Sequence, residues 1–211
     1  MIVVRLNGGL GNQLFQYATG RHLAHLNNSE LFLDTSYLLS TNKYASNWNY
    51  ELDAFNIISK IADEKLLHSF HGSDFSTSER VLTRIISLGK NRKYKFDEYG
   101  FDEHVLELKG NYYLRGYFQS EKYFKSIADI IRMDLRLKED FIPKDQALID
   151  KITGTTSVSI HIRRGDYIRN LSSMDAHGLC SKDYYTKSIE FIKRELGLAL
   201  VSLIHKLVVR F

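Results

Sequence analysis

The strongest constraint on the fold is a glycine-rich turn that separates an apolar strand from an amphipathic helix near the amino terminus. Residues 2–6 (IVVRL) are apolar apart from Arg5 and mostly β-branched, which is typical of a buried strand. The turn NGGLGN follows at residues 7–12, and apolar residues then recur at helical spacing up to residue 26. Residues 30–34 (ELFLD) indicate a second strand. This order predicts a βαβ unit and therefore an α/β fold with a parallel sheet.

Weaker patterns mark further elements and one boundary. The polar and aromatic residues 35–50 indicate a long loop of the kind that contacts a ligand. Pro143, the only proline, lies in a polar segment and divides the chain into domains at residues 1–143 and 144–211. We predict strands at residues 55–57, 112–118 and 157–162, and helices at residues 63–70, 79–87, 120–133, 144–152 and 183–196. Ser181 is the predicted cap of the last helix.

Composition excludes several classes of protein. The net charge of +4 is too small to indicate a nucleic-acid binder, but it suits an anionic ligand such as a nucleoside diphosphate, or an acidic membrane surface. The single Cys180 excludes an internal disulfide framework and a cysteine-rich zinc module. We find no Asp-x-Asp, secretory signal or spanning segment. We expect no metal or cofactor, and a cytoplasmic protein with at most peripheral contact at the inner membrane.

The glycine turn has a chemical as well as a structural interpretation. Gly8, Gly9 and Gly11 would let a ligand approach the backbone and would aim amide groups at an anion. Leu14 stands where a dinucleotide fingerprint requires its last glycine, although Asp34 follows at the distance of a ribose-binding carboxylate. An oxidoreductase and a tight turn without any ligand therefore both remain alternatives.

A second motif, HIRRGDY, occupies residues 161–167. Arg163 and Arg164 follow a predicted strand, and the carboxyl ends of parallel strands are where open α/β sheets bind ligands. Guanidinium groups hold phosphate through two hydrogen bonds and stay charged. Asp166 either orients an arginine or accepts a sugar hydroxyl, and His161 more often fills a strand position than a catalytic one. The alternative is a surface turn made of salt bridges.

The two motifs together resemble one family. Residues 8–24 (GGLGNQLFQYATGRHLA) resemble the amino-terminal signature of the bacterial α-1,2-fucosyltransferases, glycosyltransferase family 11. Residues 161–167 resemble the H-x-R-R-G-D segment of that family, and residues 177–185 resemble the stretch after it. The resemblance implies a GT-B-like enzyme, with a Rossmann-like amino-terminal half on the acceptor side and a second Rossmann-like half that binds the donor.

The resemblance also implies the reaction and its residues. The donor would be GDP-L-fucose and the acceptor a terminal galactoside on an oligosaccharide or glycolipid, as in O-antigen, with inversion and without a metal. Arg163 would bind the donor pyrophosphate and stabilise the leaving GDP, with Asn12 facing the same group. The remaining implied donor contacts are Gly8, Gly9, Gly11, Gln13, His161, Arg164 and Asp166.

Residues 197–211 do not resemble the continuation of the family. We therefore expect a truncated chain whose second Rossmann-like half is incomplete. The alternative function is that of a non-catalytic remnant, which binds a glycan or a partner only.

Overall fold

The computed structural model describes residues 1–39, 48–71, 91–96, 100–139, 145–160 and 180–197. The chain separates into two compact units, Met1–Ile142 and Pro143–Phe211. Among the described residues, no helix is both long and apolar enough to cross a membrane.

The first unit is built on a five-stranded parallel sheet with the order β3-β2-β1-β5-β4. The chain winds from β1 through β2 to β3 on one side, and β5 and β4 then occupy the other side of β1. Ligands of open α/β sheets bind at the carboxyl ends of the strands beside such a reversal. The strands are β1 (Ile2–Arg5), β2 (Leu31–Asp34), β3 (Lys60–Ile61), β4 (Asn91–Lys95) and β5 (Asn111–Arg115).

Helices cover both faces of this sheet. Because side chains alternate along a strand, Ile2 and Val4 pack into the larger core cluster, and Val3 packs with Phe70 and Tyr113 on the other face. The helices of the unit are α1 (Leu10–Leu26), α2 (Ser36–Leu39), α3 (Glu64–His71), α4 (His104–Glu107) and α5 (Ala128–Asp134). Short 3₁₀ turns lie at Leu52–Ala54, Glu121–Tyr123 and Lys125–Ile127.

Gly20 sets the close approach of α1 to the sheet. A Cβ at this position would lie 2.4 Å from Val4 Cγ2 and 2.9 Å from Leu31 Cδ1. The third glycine of a dinucleotide fingerprint serves the same purpose, the packing of helix on strand. In this protein Gly20 provides that close packing, about two turns further along the helix than the third glycine of the fingerprint would lie. The sequence motif did not indicate this position.

The second unit contains α6 (Gln146–Thr153) and α7 (Lys182–Glu195) among its described residues. The Oγ atom of Ser181 accepts a hydrogen bond from the Tyr184 amide at 3.1 Å, which confirms the predicted cap of α7. An apolar cavity of about 320 Å³ lies between residues 158–160 and the face of α7 that carries Tyr185 and Ile189.

Most predicted elements are confirmed, and the differences have physical reasons. Residues 55–57 form only an isolated bridge, from Phe55 to Leu137, and the edge strand is Lys60–Ile61 instead. Residues 91–95 show no apolar alternation, yet this charged segment forms β4, because an edge strand with exposed side chains needs none. Residues 120–133 become α-helical only from Ala128, after two 3₁₀ turns.

Two other predictions are only partly tested, and a third is not tested. The predicted loop at residues 35–50 contains α2, while residues 40–47 lie outside the described residues. The described part of the predicted strand 157–162, residues 157–160, is not assigned as a strand and has no strand partner among the described residues. The predicted helix at residues 79–87 lies outside the described residues.

Candidate functional site

The loops after β1 and β5 meet at the carboxyl edge of the sheet, and a buried amide holds them together. The Oε1 atom of Gln16 accepts a hydrogen bond from the Asn7 amide at 3.0 Å. Its Nε2 group donates to the carbonyl of Gly116 at 3.0 Å and to that of Asn7 at 3.3 Å. Asn7 Nδ2 also donates to the Tyr117 hydroxyl at 3.0 Å. These hydrogen bonds therefore hold the loops after β1 and β5 in fixed positions at this edge of the sheet.

Asn12 lies at this edge of the sheet in a defined orientation. Its Oδ1 atom accepts a hydrogen bond from Gln119 Nε2 at 2.7 Å, so its NH₂ group is the end left to donate. Gly8 makes room for that group, since a Cβ at Gly8 would lie 2.3 Å from Asn12 Nδ2. Gly8 also has a φ of +83°, a region that favours glycine. Asn12 thus presents two N–H donors whose acceptor is not among the described residues.

The amino end of α1 adds positive potential at the same place. Gly9 caps the helix without a side-chain hydrogen bond, and the first turn carries no acidic residue. The amides of Leu10, Gly11 and Asn12 have no acceptor inside the helix, and the helix dipole places partial positive charge there. Gly11 is exposed, and a Cβ there would meet nothing within 4 Å. This geometry suits an oxyanion such as a phosphate.

Gln13 holds the turn from inside the protein. Its buried amide donates to the carbonyls of Gly8 at 2.9 Å and Asn49 at 2.8 Å, and its Oε1 accepts from the Glu51 amide at 3.1 Å. A Cβ at Gly9 would lie 3.1 Å from the Trp48 ring, so that indole packs against the turn. Gln13 is thus committed to fixing the turn, and its predicted contact with a donor has no support in this arrangement.

Asp34 does not have the surroundings of a ribose-binding carboxylate. It is buried, and it accepts hydrogen bonds from the Tyr113 hydroxyl at 2.6 Å and from the Ser36 amide at 2.9 Å. Burial, reinforced by the Asp34 carboxylate, raises the pKa of the Tyr113 hydroxyl, which therefore stays protonated and donates. The Asp34 carboxylate therefore links β2 to α2 and to β5. It is not available to bind a ribose, and it was the main residue that supported the oxidoreductase alternative.

The family follows from comparison with known proteins. The family model described as glycosyl transferase family 11 matches residues 1–203. The chain belongs to glycosyltransferase family 11. The GGLGNQ turn that carries Asn12 is thus part of a family 11 sequence, and not of a dinucleotide-binding oxidoreductase.

Two relatives of this family 11 chain come from Escherichia coli. The chain is 34% identical over 204 residues to an alpha-1,2-colitosyltransferase, an alignment that covers 93% of this chain and 66% of the relative. It is 32% identical over 206 residues to the O-antigen biosynthesis glycosyltransferase WbnK, which covers 91% of this chain and 68% of the relative. The chain thus spans about two thirds of the length of these relatives. No solved structure matches it significantly.

The structure brings together only the amino-terminal part of the predicted family 11 site. Gly8, Gly9, Gly11 and Asn12 surround the amino end of α1, whereas His161, Arg163, Arg164 and Asp166 lie outside the described residues and stay predictions. Among the described residues, no group of three or more His, Cys, Asp or Glu side chains could hold a metal ion.

Gln119 and Gln16 belong to the site but were not predicted. Gln119 follows the predicted strand at residues 112–118, and the carboxyl ends of parallel strands share one edge. That rule was sufficient to suggest a contact with the glycine turn, if the neighbour of β1 had been known. Gln16 gave no signal, because a glutamine in a helix is ordinarily a surface residue.

Proposed function

We propose that this family 11 protein transfers L-fucose from GDP-L-fucose to the 2-hydroxyl of a terminal galactoside. The observation that carries the proposal is the amino end of α1, which no side chain caps, together with the oriented amide of Asn12. Both lie at the carboxyl edge of a parallel sheet. The α-1,2-colitosyltransferase relative supports an α-1,2 linkage, and the relative WbnK supports an acceptor in O-antigen biosynthesis.

Arg163 and Asn12 are the residues to which we assign chemistry. Arg163 grips the pyrophosphate of the donor through its guanidinium fork, and Asn12 donates its NH₂ group to a donor oxygen. Arg164, Asp166 and His161 shape the nucleotide pocket. The proposed architecture is GT-B-like, with the first unit on the acceptor side and the second unit beginning the donor half.

The reaction requires stabilisation of a leaving group. The bond between C1 of fucose and the phosphate oxygen breaks, and negative charge develops on GDP while the sugar gains oxocarbenium character. The galactoside oxygen O2 attacks C1 from the opposite face, so the anomeric centre inverts, and the hydroxyl proton is released. Arg163, Asn12 and the amides of α1 supply fixed positive potential for the departing diphosphate, and each such donor contributes on the order of 10²–10³ in rate.

Colitose is the second candidate for the transferred sugar. The observation that favours it is the name of the relative that is 34% identical to this chain. Colitose is a fucose without the 3-hydroxyl, so the same anion-binding groups serve both donors. A polar group that binds the 3-hydroxyl would decide between them, since a site built to hydrogen-bond a hydroxyl rejects the analogue that lacks it.

Calorimetric titration with GDP tests the donor assignment. We expect the wild-type protein to bind GDP and the Arg163→Ala variant to lose at least tenfold in affinity. Arg136→Ala is the matched control, because Arg136 is an exposed arginine of the first unit. If the wild-type chain shows no affinity for GDP, the non-catalytic remnant is the correct interpretation.

A transfer assay tests the reaction itself. We expect labelled fucose to pass from GDP-L-fucose to a β-galactoside, and not to its 2-deoxy analogue, which lacks the proposed nucleophile. GDP-colitose is tested in parallel, and the ratio of the two kcat/KM values identifies the preferred donor. Equal labelling of the 2-deoxy acceptor would contradict the proposed linkage.

A further inference from the structure

Two arginines lie side by side at the carboxyl edge of the sheet. In the register of β1 with β5, Val3 pairs with Tyr113 and Val4 with Leu114, so the next position places Arg5 beside Arg115. Both are the last residues of their strands. Because side chains alternate, both lie on the face of Val3 and Tyr113, opposite the face that α1 covers.

The surroundings of this arginine pair compensate its charge only in part. Arg5 packs its guanidinium over the Tyr37 ring, 4.5 Å from the centroid, and neither arginine has an ion pair with any described residue. Asp34 lies in register beside Arg5. Its carboxylate accepts hydrogen bonds from the Tyr113 hydroxyl and the Ser36 amide and offsets one of the two arginine charges, so the two arginines and Asp34 together keep a net positive charge.

A bound anion would stabilise this arrangement. Like charges directly opposite each other on neighbouring strands destabilise a sheet. The Tyr37 ring restrains Arg5, and this restraint reduces the entropy that the side chain loses when it forms hydrogen bonds. Guanidinium groups bind phosphate and carboxylate through paired, charge-assisted hydrogen bonds. The two guanidinium groups, one of them held by the Tyr37 ring, are therefore suited to bind a single oxyanion.

We propose that Arg5 and Arg115 bind an oxyanion, a carboxylate or phosphate carried by the acceptor glycan. The pair lies at the same edge of the sheet as Asn12 but on the opposite face, so it is separate from the amino end of α1. The assignment to the acceptor rests on the proposed function, whereas the presence of an oxyanion site does not.

The oxyanion site is tested by calorimetric titration with inorganic pyrophosphate in the Arg163→Ala background, where the proposed donor site is disabled. Asn12→Ala is added to that background, because Asn12 also faces the proposed donor site. We expect binding to persist there and to weaken at least tenfold when Arg5→Gln and Arg115→Gln are added. Arg92→Gln is the matched control, because this exposed arginine lies on the opposite face of β4 and should leave binding unchanged. No binding in the Arg163→Ala, Asn12→Ala background, or equal binding after the two further changes, would overturn the site.

A second variant distinguishes loss of the oxyanion site from loss of folding. Arg5→Lys with Arg115→Lys keeps both charges, and we expect it to retain more affinity for pyrophosphate than the glutamine variant at the same thermal stability. If the lysine and glutamine variants lose affinity equally while both stay folded, charge at the pair is not what binds the anion.

The source of the oxyanion is tested by transfer to two matched acceptors, lactose and β-galactosyl-1,4-glucuronate. We expect the wild type to have at least a tenfold lower KM for the acidic acceptor, and the Arg5→Gln, Arg115→Gln variant to lose this preference. Equal KM values in the wild type, or a preference that survives the substitutions, would overturn the acceptor assignment even where pyrophosphate binds at the pair.

Discussion

Replacing Gly8 by alanine should separate the role of the turn in stability from its role in function. The φ of +83° at Gly8 is a strained conformation for alanine and costs about 1–3 kcal/mol. The new Cβ would also lie 2.3 Å from Asn12 Nδ2, which the Asn12 side chain can relieve only by rotating. That rotation breaks the hydrogen bond from Gln119 and costs about 0.5–1.5 kcal/mol more.

Gly110→Ala is the matched control for backbone strain. Gly110 has a φ of +100°, and a Cβ there would meet nothing within 4 Å. It directly precedes β5, at the amino end of the sheet and away from the turn. We therefore expect Gly110→Ala to lose about 1–3 kcal/mol of unfolding free energy from strain alone. Gly8→Ala should lose about 0.5–1.5 kcal/mol more than this control.

The assay combines urea unfolding with fucose transfer. We expect Gly8→Ala to lower the transfer rate roughly 100-fold, because the displaced Asn12 no longer faces the developing charge. Gly110→Ala should keep the wild-type rate. Adding Asn12→Ala to Gly8→Ala should lower the rate no further, since both changes remove the same interaction. Equal loss of rate in the two alanine variants, or a folded Gly8→Ala protein with full activity, would refute this reasoning.

Three further predictions concern the packing of α1 and the orientation of Asn12. Gln119→Glu removes the donor to Asn12 Oδ1, so the NH₂ group of Asn12 should turn towards the new carboxylate. We expect kcat to fall at least tenfold while Tm stays unchanged. An unchanged kcat would contradict the proposed orientation of Asn12. Burial lowers the pKa of His22 in the folded protein. As the pH drops below about 6.5, His22 therefore binds a proton in the unfolded chain before it does so in the folded protein, and the free energy of unfolding should fall. Urea unfolding between pH 5 and pH 8 should show a shallower loss in His22→Gln, whereas an identical loss would mean that other groups cause it. Gly20→Ala should cost about 1–3 kcal/mol by overpacking against Val4, as measured by thermal unfolding, while the affinity for GDP should stay that of the wild type.

The local part of the fold could be predicted because short-range patterns encode it. The strand, the glycine turn, α1 and β2 lie within the first 34 residues, and their apolar periods and glycine positions require no knowledge of the rest of the chain. The same reasoning predicted that the amides after Gly9 would face an anion. Ser181 as the cap of α7 is a prediction of the same local kind, and it is confirmed.

The order of the strands could not be predicted, and it decides the composition of the site. Gln119 reaches Asn12 across 107 residues of sequence only because β5 pairs with β1. The pairing also places Arg115 beside Arg5, and it gives Asp34 the Tyr113 hydroxyl as a partner.

The sequence by itself therefore determined the βαβ unit, the family and the residues able to bind an anion. The tertiary structure alone decided which of them stay available: Asn12 is oriented and open, while Gln13 and Asp34 are buried and committed to the protein. The physical reason is that periodicity and turn chemistry act over a few residues. Strand pairing joins distant segments through backbone hydrogen bonds, which are the same for every side chain.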